Sequence, residues 1–459
     1  MEETKYRCQA VHPFTCRAMV FTGLIIDARL DEGILRKTTA ELVRAWPDRP
    51  WALSTGSTVD FEGQESHQDL AYWMQRGIQP SAPCRPTIID NLSPQELDKI
   101  FMFNVPMKTE NVFLVRVTVL RDATMLCFGI SHHLADGTAS YNVIRAYCDL
   151  LAGRPIASPL LPPDSRGKRL SDRVTPTKGV QRPLRDVGYA EHLANFTTGL
   201  WPILLLLVSV SWNLLLRQLG LQEDLEERFV YLPADWVGAV RKRALETLSM
   251  LPADPQPRWD NQPTKNNIIN AWFLKTIYST VARSNAPVDF YGPLSYRSVV
   301  EPPPKGHYWI HNSIGLLRER LTVAQIQQES VAMLAGRLRL ATLRYTTRRS
   351  IQEYLRVCED HASYRMLPHI QGQGTKPMVM VTPWTGFDFS GLDFSGASCE
   401  PGRPVQVLFV NGLVREMREG VWPSAFTLKS VQGGGYWMRA WNTPSGWRNL
   451  DRFGDIDVL

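Results

Sequence analysis

The chain has 459 residues and is longer than one typical domain, so its length predicts two domains. Its 44% hydrophobic and 10% aromatic residues exclude disorder over the whole chain, because their burial can offset the loss of chain entropy on folding. The 51 basic and 45 acidic residues leave a net charge of +6, which is too small over this length to indicate a nucleic-acid binder but permits an anionic ligand or a membrane surface.

Hydrophobic periodicity predicts the elements of the N-terminal third of the chain. They are strands over 18–27, 111–120 and 124–130, and helices over 31–45 and 138–151. The last two strands are separated by the turn-like pair Arg121-Asp122 and predict a β-hairpin. The second strand of this hairpin runs directly into the polar sequence SHHLADG, residues 131–137.

The middle of the chain changes character twice. Residues 153–190 are rich in proline and arginine and predict a long linker or surface crossover. Residues 193–216 then run for 24 positions without a charge, which is long enough to span a bilayer, although Pro202 and Asn213 oppose spanning. A hairpin-like dip, an interfacial helix and a soluble core helix all stay open, and the basic linker beside the segment suits anionic headgroups.

The C-terminal half alternates between predicted helices and strands after a second linker at 251–263. Thr264 is placed to cap a helix that includes Ile268 and Trp272. The other predicted elements are strands over 288–294, 378–381, 405–414 and 420–428, helices over 322–343 and 350–361, and a proline-rich loop at 301–305. The pattern predicts an α/β protein with an N-terminal lobe (1–190), a crossover region (191–262) and a C-terminal lobe (263–459).

The segment SHHLADG is the strongest candidate for chemistry. It lies at the end of a predicted buried strand, where side chains can face a cleft while the strand holds them rigidly. Histidine is the side chain best suited to take a proton near neutral pH, so His132 is the candidate base. Four residues later comes Asp136, followed by Gly137, at which we expect a backbone conformation that other residues resist.

At this segment the sequence resembles the BAHD acyltransferases, and in particular their fungal secondary-metabolite branch, which includes the trichothecene 3-O-acetyltransferase type. The signature of that family is HxxxDG, with the catalytic histidine first; His132 takes that position and His133 a variable one. A second family motif, DFGWG, is matched by Asp393 and Phe394, whereas residues 395–397 depart from it.

Two further segments resemble family motifs in the expected order. Residues 264–272 (TKNNIINAW) are similar to its T-S-N-D-x-x-x-A-W helix start, with Asn267 in place of the acid. Ser295-Tyr296-Arg297, followed by Asn312-Ser313, is similar to its R…P…GN segment. The four resemblances together cover nearly the whole chain.

The resemblance implies roles for named residues. His132 would be the general base, and its other ring nitrogen is expected to donate to a backbone carbonyl. Asp136, with Gly137, would be structural, the carboxylate pointing away from the active centre and pairing with Arg297. The hydroxyl of Thr382 and the indole N–H of Trp384 match positions proposed to stabilise the oxyanion, and residues i and i+2 of a strand share one face.

Asp393 is assigned a structural role, in an ion pair with an arginine that the sequence does not identify. The implied fold is two chloramphenicol-acetyltransferase-like domains, each a mixed sheet with flanking helices, with an active-site tunnel between them. The implied activity is an acyl-CoA-dependent O-acyltransferase, most simply an acetyltransferase, acting on a hydroxyl of a lipophilic secondary metabolite such as a terpenoid, alkaloid or polyketide. Acyl-CoA would be a co-substrate, no metal or permanently bound cofactor is expected, and the residues that bind CoA are not identified.

Two alternatives remain. One is a condensation-type N-acyl or polyketide-chain transferase with a carrier-bound donor, whose HHxxxDG motif has the catalytic histidine second. The other is a non-catalytic binding protein on the same scaffold. The absence of an N-terminal signal pattern and the scattered cysteines predict a protein of the cytoplasmic side, and the apolar segment suggests membrane association, with the endoplasmic reticulum as the expected site. A monomer is expected, with no nucleic-acid partner.

Overall fold

The structure is a computed structural model. It describes residues 19–45, 58–74, 84–90, 92–102, 111–132, 135–156, 158–160, 170–174, 185–197, 200–250, 262–299, 307–309, 312–361, 367–368, 378–415 and 422–456. The predicted loop at 301–305, most of the linker 251–263, much of the linker 153–190 and His133 lie outside the described residues.

The described part of the chain forms strands and helices in the following order. The strands β1 to β16 are Met19–Ile26, Thr58–Glu65, Thr87–Ile88, Asn111–Val119, Thr124–Ser131, Ser158–Leu160, Phe196–Thr197, Glu226–Leu232, Pro287–Ser295, His307–Trp309, Ile314–Thr322, Leu367–Pro368, Met378–Trp384, Val407–Arg415, Ser424–Lys429 and Tyr436–Asn442. The helices α1 to α12 are Glu32–Ala45, Leu70–Trp73, Pro94–Met102, Gly137–Leu151, Tyr189–Leu193, Leu200–Gln218, Ala234–Ser249, Lys265–Tyr278, Val323–Gln328, Val331–Tyr345, Arg348–Asp360 and Pro444–Phe453.

The first sheet has the strand order β14-β1-β5-β4-β2. Strands β4 and β5 pair antiparallel from Phe113 opposite Ile130 to Val119 opposite Thr124, which confirms the predicted hairpin. Strand β2 joins β4 in parallel, so the sheet is mixed. Every residue of β1 and β5 is buried, and α1 and α4 pack on one face through an apolar core. The continuous apolar runs in the sequence follow from this burial on both faces.

The second sheet has the order β11-β9-β13-β15-β16-β8-β3 and is also mixed, because β13 runs parallel to both β9 and β15. Helix α8 lies in the middle of its core and is buried from Asn267 to Tyr278. The predicted cap is confirmed, because the Thr264 hydroxyl accepts from the backbone N–H of Asn267 and the Asn267 side chain accepts from the backbone N–H of Thr264. The prediction of an α/β fold with mixed sheets is therefore confirmed.

The two halves of the chain exchange strands. Strand β14 comes from the C-terminal half but pairs with β1 in the first sheet, and β3 comes from the N-terminal half but pairs with β8 in the second. An apolar core between the sheets joins them, with the Phe409 ring 5.5 Å from Phe229 and 5.2 Å from Trp437, centre to centre. The predicted lobe boundaries at 190 and 262 stay a prediction about independent folding units.

Two segments differ from a simple sequence interpretation. The single helix expected over 322–343 is wrong at its start: β11 extends to Thr322, and the helical part divides into α9 and α10 because the hydroxyls of Thr322 and Ser330 each cap a new helix. Of the apolar segment 193–216, residues 200–216 belong to α6, and several leucines of this helix are exposed, which excludes a buried core helix. Within the described residues, no helix combines the length and apolar composition needed to cross a bilayer.

A buried charge cluster lies where the two sheets meet. Arg439 on β16 is 1% exposed, donates to both oxygens of Asp98 on α3 at 2.8 and 2.6 Å, and donates to Glu227 on β8 at 2.6 Å. It also donates to the side-chain oxygen of Asn411 on β14 at 3.0 Å. One guanidinium group thus connects both sheets and α3, and its removal would leave two carboxylates in a low-dielectric environment.

We predict that Arg439→Met lowers the free energy of unfolding by about 3–5 kcal/mol, because Asp98 and Glu227 lose their shared partner. Urea unfolding followed by circular dichroism measures the effect. The matched control is Arg36→Met, which breaks the more exposed pair with Glu32 at 2.7 Å and should cost less than about 1 kcal/mol. Equal losses for the two variants would show that the buried cluster is not a specific source of stability.

Candidate active site

The end of β5 places His132 where the first sheet meets the second. Strand β5 ends at Ser131, and α4 begins at Gly137, so the histidine lies in the short connection between a fully buried strand and a helix. The residue is 8% exposed and is therefore buried between these elements. Rigid elements on both sides of the connection hold the imidazole in place.

Asp136 is the N-cap of α4, and its carboxylate joins the two halves of the molecule. Oδ1 accepts from the backbone N–H of Ala139 at 3.0 Å. Oδ2 accepts from Arg297 Nη1 at 2.6 Å and from the backbone N–H of Ser313 at 2.8 Å. Asp136 is 1% exposed; burial raises its pKa, but the charge of Arg297 and these hydrogen bonds outweigh burial and hold the pKa below its usual value. The ion pair expected from the sequence is present.

Asn312 holds the backbone of the histidine, a role that the sequence analysis did not assign. Its side-chain Nδ2 donates to the backbone carbonyl of His132, and its own backbone carbonyl accepts from the Tyr296 hydroxyl at 3.1 Å. The Tyr296 N–H in turn donates to the Ser313 carbonyl at 2.9 Å. The pair Asn312-Ser313 therefore fixes the two ends of the segment His132–Asp136 from the second sheet.

Burial controls the protonation of the His132 ring. Burial lowers its pKa from 6.5, and this effect outweighs the charge of Asp136, the nearby carbonyls of His132 and Ala135, and the Asn312 side chain, which all raise it. The ring is therefore neutral at neutral pH. Its Nδ1 atom is buried and has no hydrogen bond of standard geometry within the described residues, so the expected bond to a backbone carbonyl stays a prediction.

Strand β13 brings Trp384 against the first turn of α4. A Cβ atom on Gly137 would lie 2.8 Å from Nε1 of Trp384 and 3.3 Å from Cε2 of Phe387. Gly137 does not have a positive φ, so the expected unusual backbone conformation at this position is wrong. Glycine is required instead because the indole approaches so closely that a side chain would not fit. Thr382 lies on the same face of β13 and is half-buried, whereas Trp384 is buried in the core of the first sheet.

Asp393 lies away from this cluster, near the other end of α4. Its Oδ1 accepts from the backbone N–H and the hydroxyl of Ser395, at 2.9 and 2.6 Å. The arginine that the sequence did not identify is Arg154, at 4.0 Å between side chains that are both exposed. A Cβ on Gly396 would clash with the carbonyl oxygen of Leu151, so this segment packs on the last turn of α4. The structure thus separates Asp393 from His132 by the length of a 15-residue helix.

The cluster at the N-terminus of α4 has the features of a general-base site. A nearly buried imidazole whose pKa is lowered by burial lies where the two sheets meet, and its backbone is held by Asn312 and, through the start of α4, by the Asp136–Arg297 pair. The residues come from strand ends and connections of both sheets. The arrangement suits proton abstraction by the imidazole, and Thr382 supplies a half-buried hydroxyl on β13.

Comparisons with known proteins identify relatives of the whole chain and of its fold. No protein-family model matches the sequence. Acetyltransferase peniE from Penicillium patulum is 32% identical over 491 residues, which cover 99% of this chain and 98% of that protein. The fold is similar to crystal structures of F. graminearum TRI101 complexed with coenzyme A and T-2 mycotoxin (TM-score 0.63, 12% identity, 98% of this chain and 97% of that chain) and of vinorine synthase (TM-score 0.58, 13% identity, 98% and 91%).

We predict that Gly137→Ala destabilises the protein by about 1–3 kcal/mol and lowers catalytic turnover, because the new methyl group displaces the Trp384 indole at the start of α4. The matched control is Gly238→Ala in α7, where a Cβ meets nothing within 4 Å, so stability should stay equal or rise by about 0.5–1 kcal/mol. Thermal unfolding of both variants measures the difference. A Gly137→Ala protein as stable and active as the control would contradict the packing argument.

Proposed function

Since the chain belongs to the fungal BAHD-type acyltransferases, we propose that it transfers an acyl group, most simply acetyl, from coenzyme A to a hydroxyl group of a lipophilic secondary metabolite. The observation that carries the proposal is the nearly buried imidazole of His132, with its backbone held by Asn312 and by the Asp136–Arg297 pair. A terpenoid, alkaloid or polyketide alcohol is the acceptor class that we propose.

The mechanism is direct transfer. The Nε2 atom of His132 takes the hydroxyl proton as the acceptor oxygen bonds to the thioester carbonyl carbon, since Nδ1 is buried. The tetrahedral intermediate collapses as the C–S bond breaks, the sulfur leaves with the bonding electrons, and the imidazolium returns the proton to it as free coenzyme A forms. No acyl-enzyme is required, because the histidine activates the acceptor itself.

Thr382 and Trp384 complete the proposed machinery. The Thr382 hydroxyl, half-buried on β13, would donate to the oxyanion of the intermediate, and a pre-aimed donor of this kind is worth about 3–4 kcal/mol. The Trp384 indole is a candidate second donor, although its Nε1 lies toward Gly137. Asp136, Gly137 and Arg297 would position the histidine, and Asp393 would have a structural role at the far end of α4.

The partners follow from the same proposal. Acyl-CoA and a small hydroxylated acceptor are the two substrates, and the protein would act as a monomer. An acceptor of this class partitions into bilayers, so we propose that the protein contacts the surface of a membrane through residues 193–216.

We predict that His132→Ala lowers the rate of acyl transfer by at least about a thousandfold, because the variant lacks the proposed base for the acceptor proton. Purified protein is incubated with acetyl-CoA and a panel of hydroxylated terpenoids, alkaloids and polyketides, and the release of free thiol is followed. His361→Ala, at the end of α11, is the control and should keep normal turnover. Near-normal turnover by His132→Ala would remove this residue from the mechanism, and binding of acetyl-CoA without transfer by the wild type would favour a binding protein.

We predict that kcat/KM is flat from neutral pH to about pH 9 and falls only as the pH drops below 6.5. The sign follows from the lowered pKa of His132: the active form is the neutral imidazole, which becomes protonated only on the acidic side of the ordinary value. The buried His192, with a pKa of about 4, adds a loss of stability over the same acidic range. Circular dichroism at each pH separates the two effects, and a rate that rises through pH 7–9 would contradict the lowered pKa.

A further inference from the structure

The centre of the second sheet is fully buried on one face and only partly buried on the other. Strands β13 and β15 are inner, parallel strands, and both faces of such strands are ordinarily covered. On one face, Val379, Val381 and Ala425 are buried in the core that contains α8. The residues that alternate with them point to the opposite face and are half-buried; they are Met380, Thr382, Ser424 and Phe426. We call these four residues the inner strip.

Two different layers cover the face that carries the inner strip, and the strip lies between them. Helix α11 covers the part next to β9, where Tyr354 packs in one cluster with Tyr291 and Met378. The first sheet covers the part next to β16, where Phe409 of β14 packs against Trp437. Because the side chains between these two clusters keep part of their surface exposed, neither layer closes completely over β13 and β15.

One border of the inner strip reaches the start of α4. Thr382 and Phe426 are partners in the parallel register of β13 and β15, so their side chains are neighbours on one face. The Phe426 ring lies 6.3 Å from that of Trp384, centre to centre. The Trp384 indole in turn lies against Gly137. The strip is therefore continuous with residues of the candidate active site.

The other border reaches the same connection from the side of α11. Tyr296 packs in the cluster of Tyr354, with the two ring centres 6.4 Å apart. The Tyr296 hydroxyl donates to the backbone carbonyl of Asn312 at 3.1 Å, and the Asn312 side chain donates to the carbonyl of His132. Both borders of the inner strip thus lead to the segment that carries the candidate base.

The chemistry of the inner strip favours an apolar ligand that carries a few oxygen atoms. Met380 and Phe426 are apolar, and the half-buried Trp422, just before β15, packs on the same cluster as Met380. Thr382 and Ser424 supply hydroxyl groups, and none of the four residues is charged. A small number of polar groups among apolar and aromatic side chains is typical of a site for a small lipophilic molecule. It does not suit the phosphate groups of coenzyme A.

We propose that the inner strip forms the floor of the site that binds the hydroxylated acceptor, and that Phe426 and Met380 determine how large an acceptor the enzyme uses. This inference deepens the proposed function and rests on it. The acceptor would lie on Met380 and Phe426, with its reacting hydroxyl toward Thr382 and His132. The size of the two apolar side chains would then select among lipophilic alcohols.

The experiment compares geraniol and farnesol, two primary alcohols that differ by one isoprene unit, as acceptor probes. The test variants are Phe426→Leu, which enlarges the space above the strip, and Met380→Phe, which narrows it. The matched control is Phe61→Leu, which shortens a half-buried phenylalanine of β2 in the first sheet. Binding of each alcohol is measured by calorimetry in the presence of coenzyme A, and acetyl transfer is measured by the release of free thiol. Circular dichroism verifies that each variant is folded.

We expect Phe426→Leu to raise the farnesol-to-geraniol ratio, in kcat/KM and in the binding constant, at least about fivefold, because the space left by the ring holds part of the added isoprene unit. Met380→Phe should lower the same ratio, and Phe61→Leu should leave it unchanged. The KM for acetyl-CoA should be equal in all four proteins, since the strip contacts the acceptor and not the coenzyme.

A ratio that neither test variant changes would overturn the proposal, and so would a wild type that binds neither alcohol. A changed KM for acetyl-CoA with a constant acceptor ratio would assign the strip to the coenzyme and would also overturn it. Thiol release with an unchanged ratio would leave the proposed function intact and remove only the acceptor site. A changed ratio of binding constants without any thiol release would keep the strip as a binding site and contradict the proposed transfer reaction.

Discussion

The carboxylate of Asp136 carries a charge at a place where water cannot solvate it, and the geometry of the site follows from that constraint. A buried carboxylate must be neutralised and hydrogen-bonded, and here the partners are the first turn of α4, Arg297 and the backbone of Ser313. The carboxylate can reach all of these partners only if the connection after β9 lies close to the end of β5. The same approach brings Asn312 to the carbonyl of His132, so one ion pair determines how the two sheets meet around the imidazole.

Buried charges are paired in the same way at other positions of the molecule. Arg439 links α3, β8, β14 and β16 through two carboxylates and an amide, and Asp289 on β9 is fully buried between Arg318 and Arg320. Buried ion pairs of this type contribute little net stability compared with apolar residues, but an incorrect arrangement would leave a charge without its partner. The halves of this fold exchange strands, and a hydrophobic core alone would permit several relative placements of the two sheets. Such ion pairs favour the one placement in which every buried charge has its partner.

Local signals in the sequence were sufficient for local structure, and contacts between distant residues were not predictable from them. The hairpin of β4 and β5 and the cap at Thr264 depend on residues a few positions apart, and both predictions are confirmed. The exchange of β14 into the first sheet has no such signal, because an apolar strand does not specify its neighbour. The contact of Asn312 with His132 spans 180 positions, and the close approach of Trp384 to Gly137 likewise belongs to the tertiary fold. The Asp136–Arg297 pair was expected only from the family resemblance.

Two histidines in the described part of the chain are nearly buried, and their surroundings differ. His192 lies between the rings of Tyr345 and Tyr354, and burial lowers its pKa to about 4, so it packs as a neutral aromatic side chain. His132 experiences the same penalty but has the Asp136 carboxylate nearby, which favours the protonated ring. Burial outweighs the charge of that carboxylate, so the pKa of His132 is lowered as well. Arg297 pairs with Asp136, and this pair ties the start of α4 to the second sheet. The proposed use of His132 as a base therefore depends on its position where the two sheets meet, whereas His192 is enclosed by two tyrosine rings.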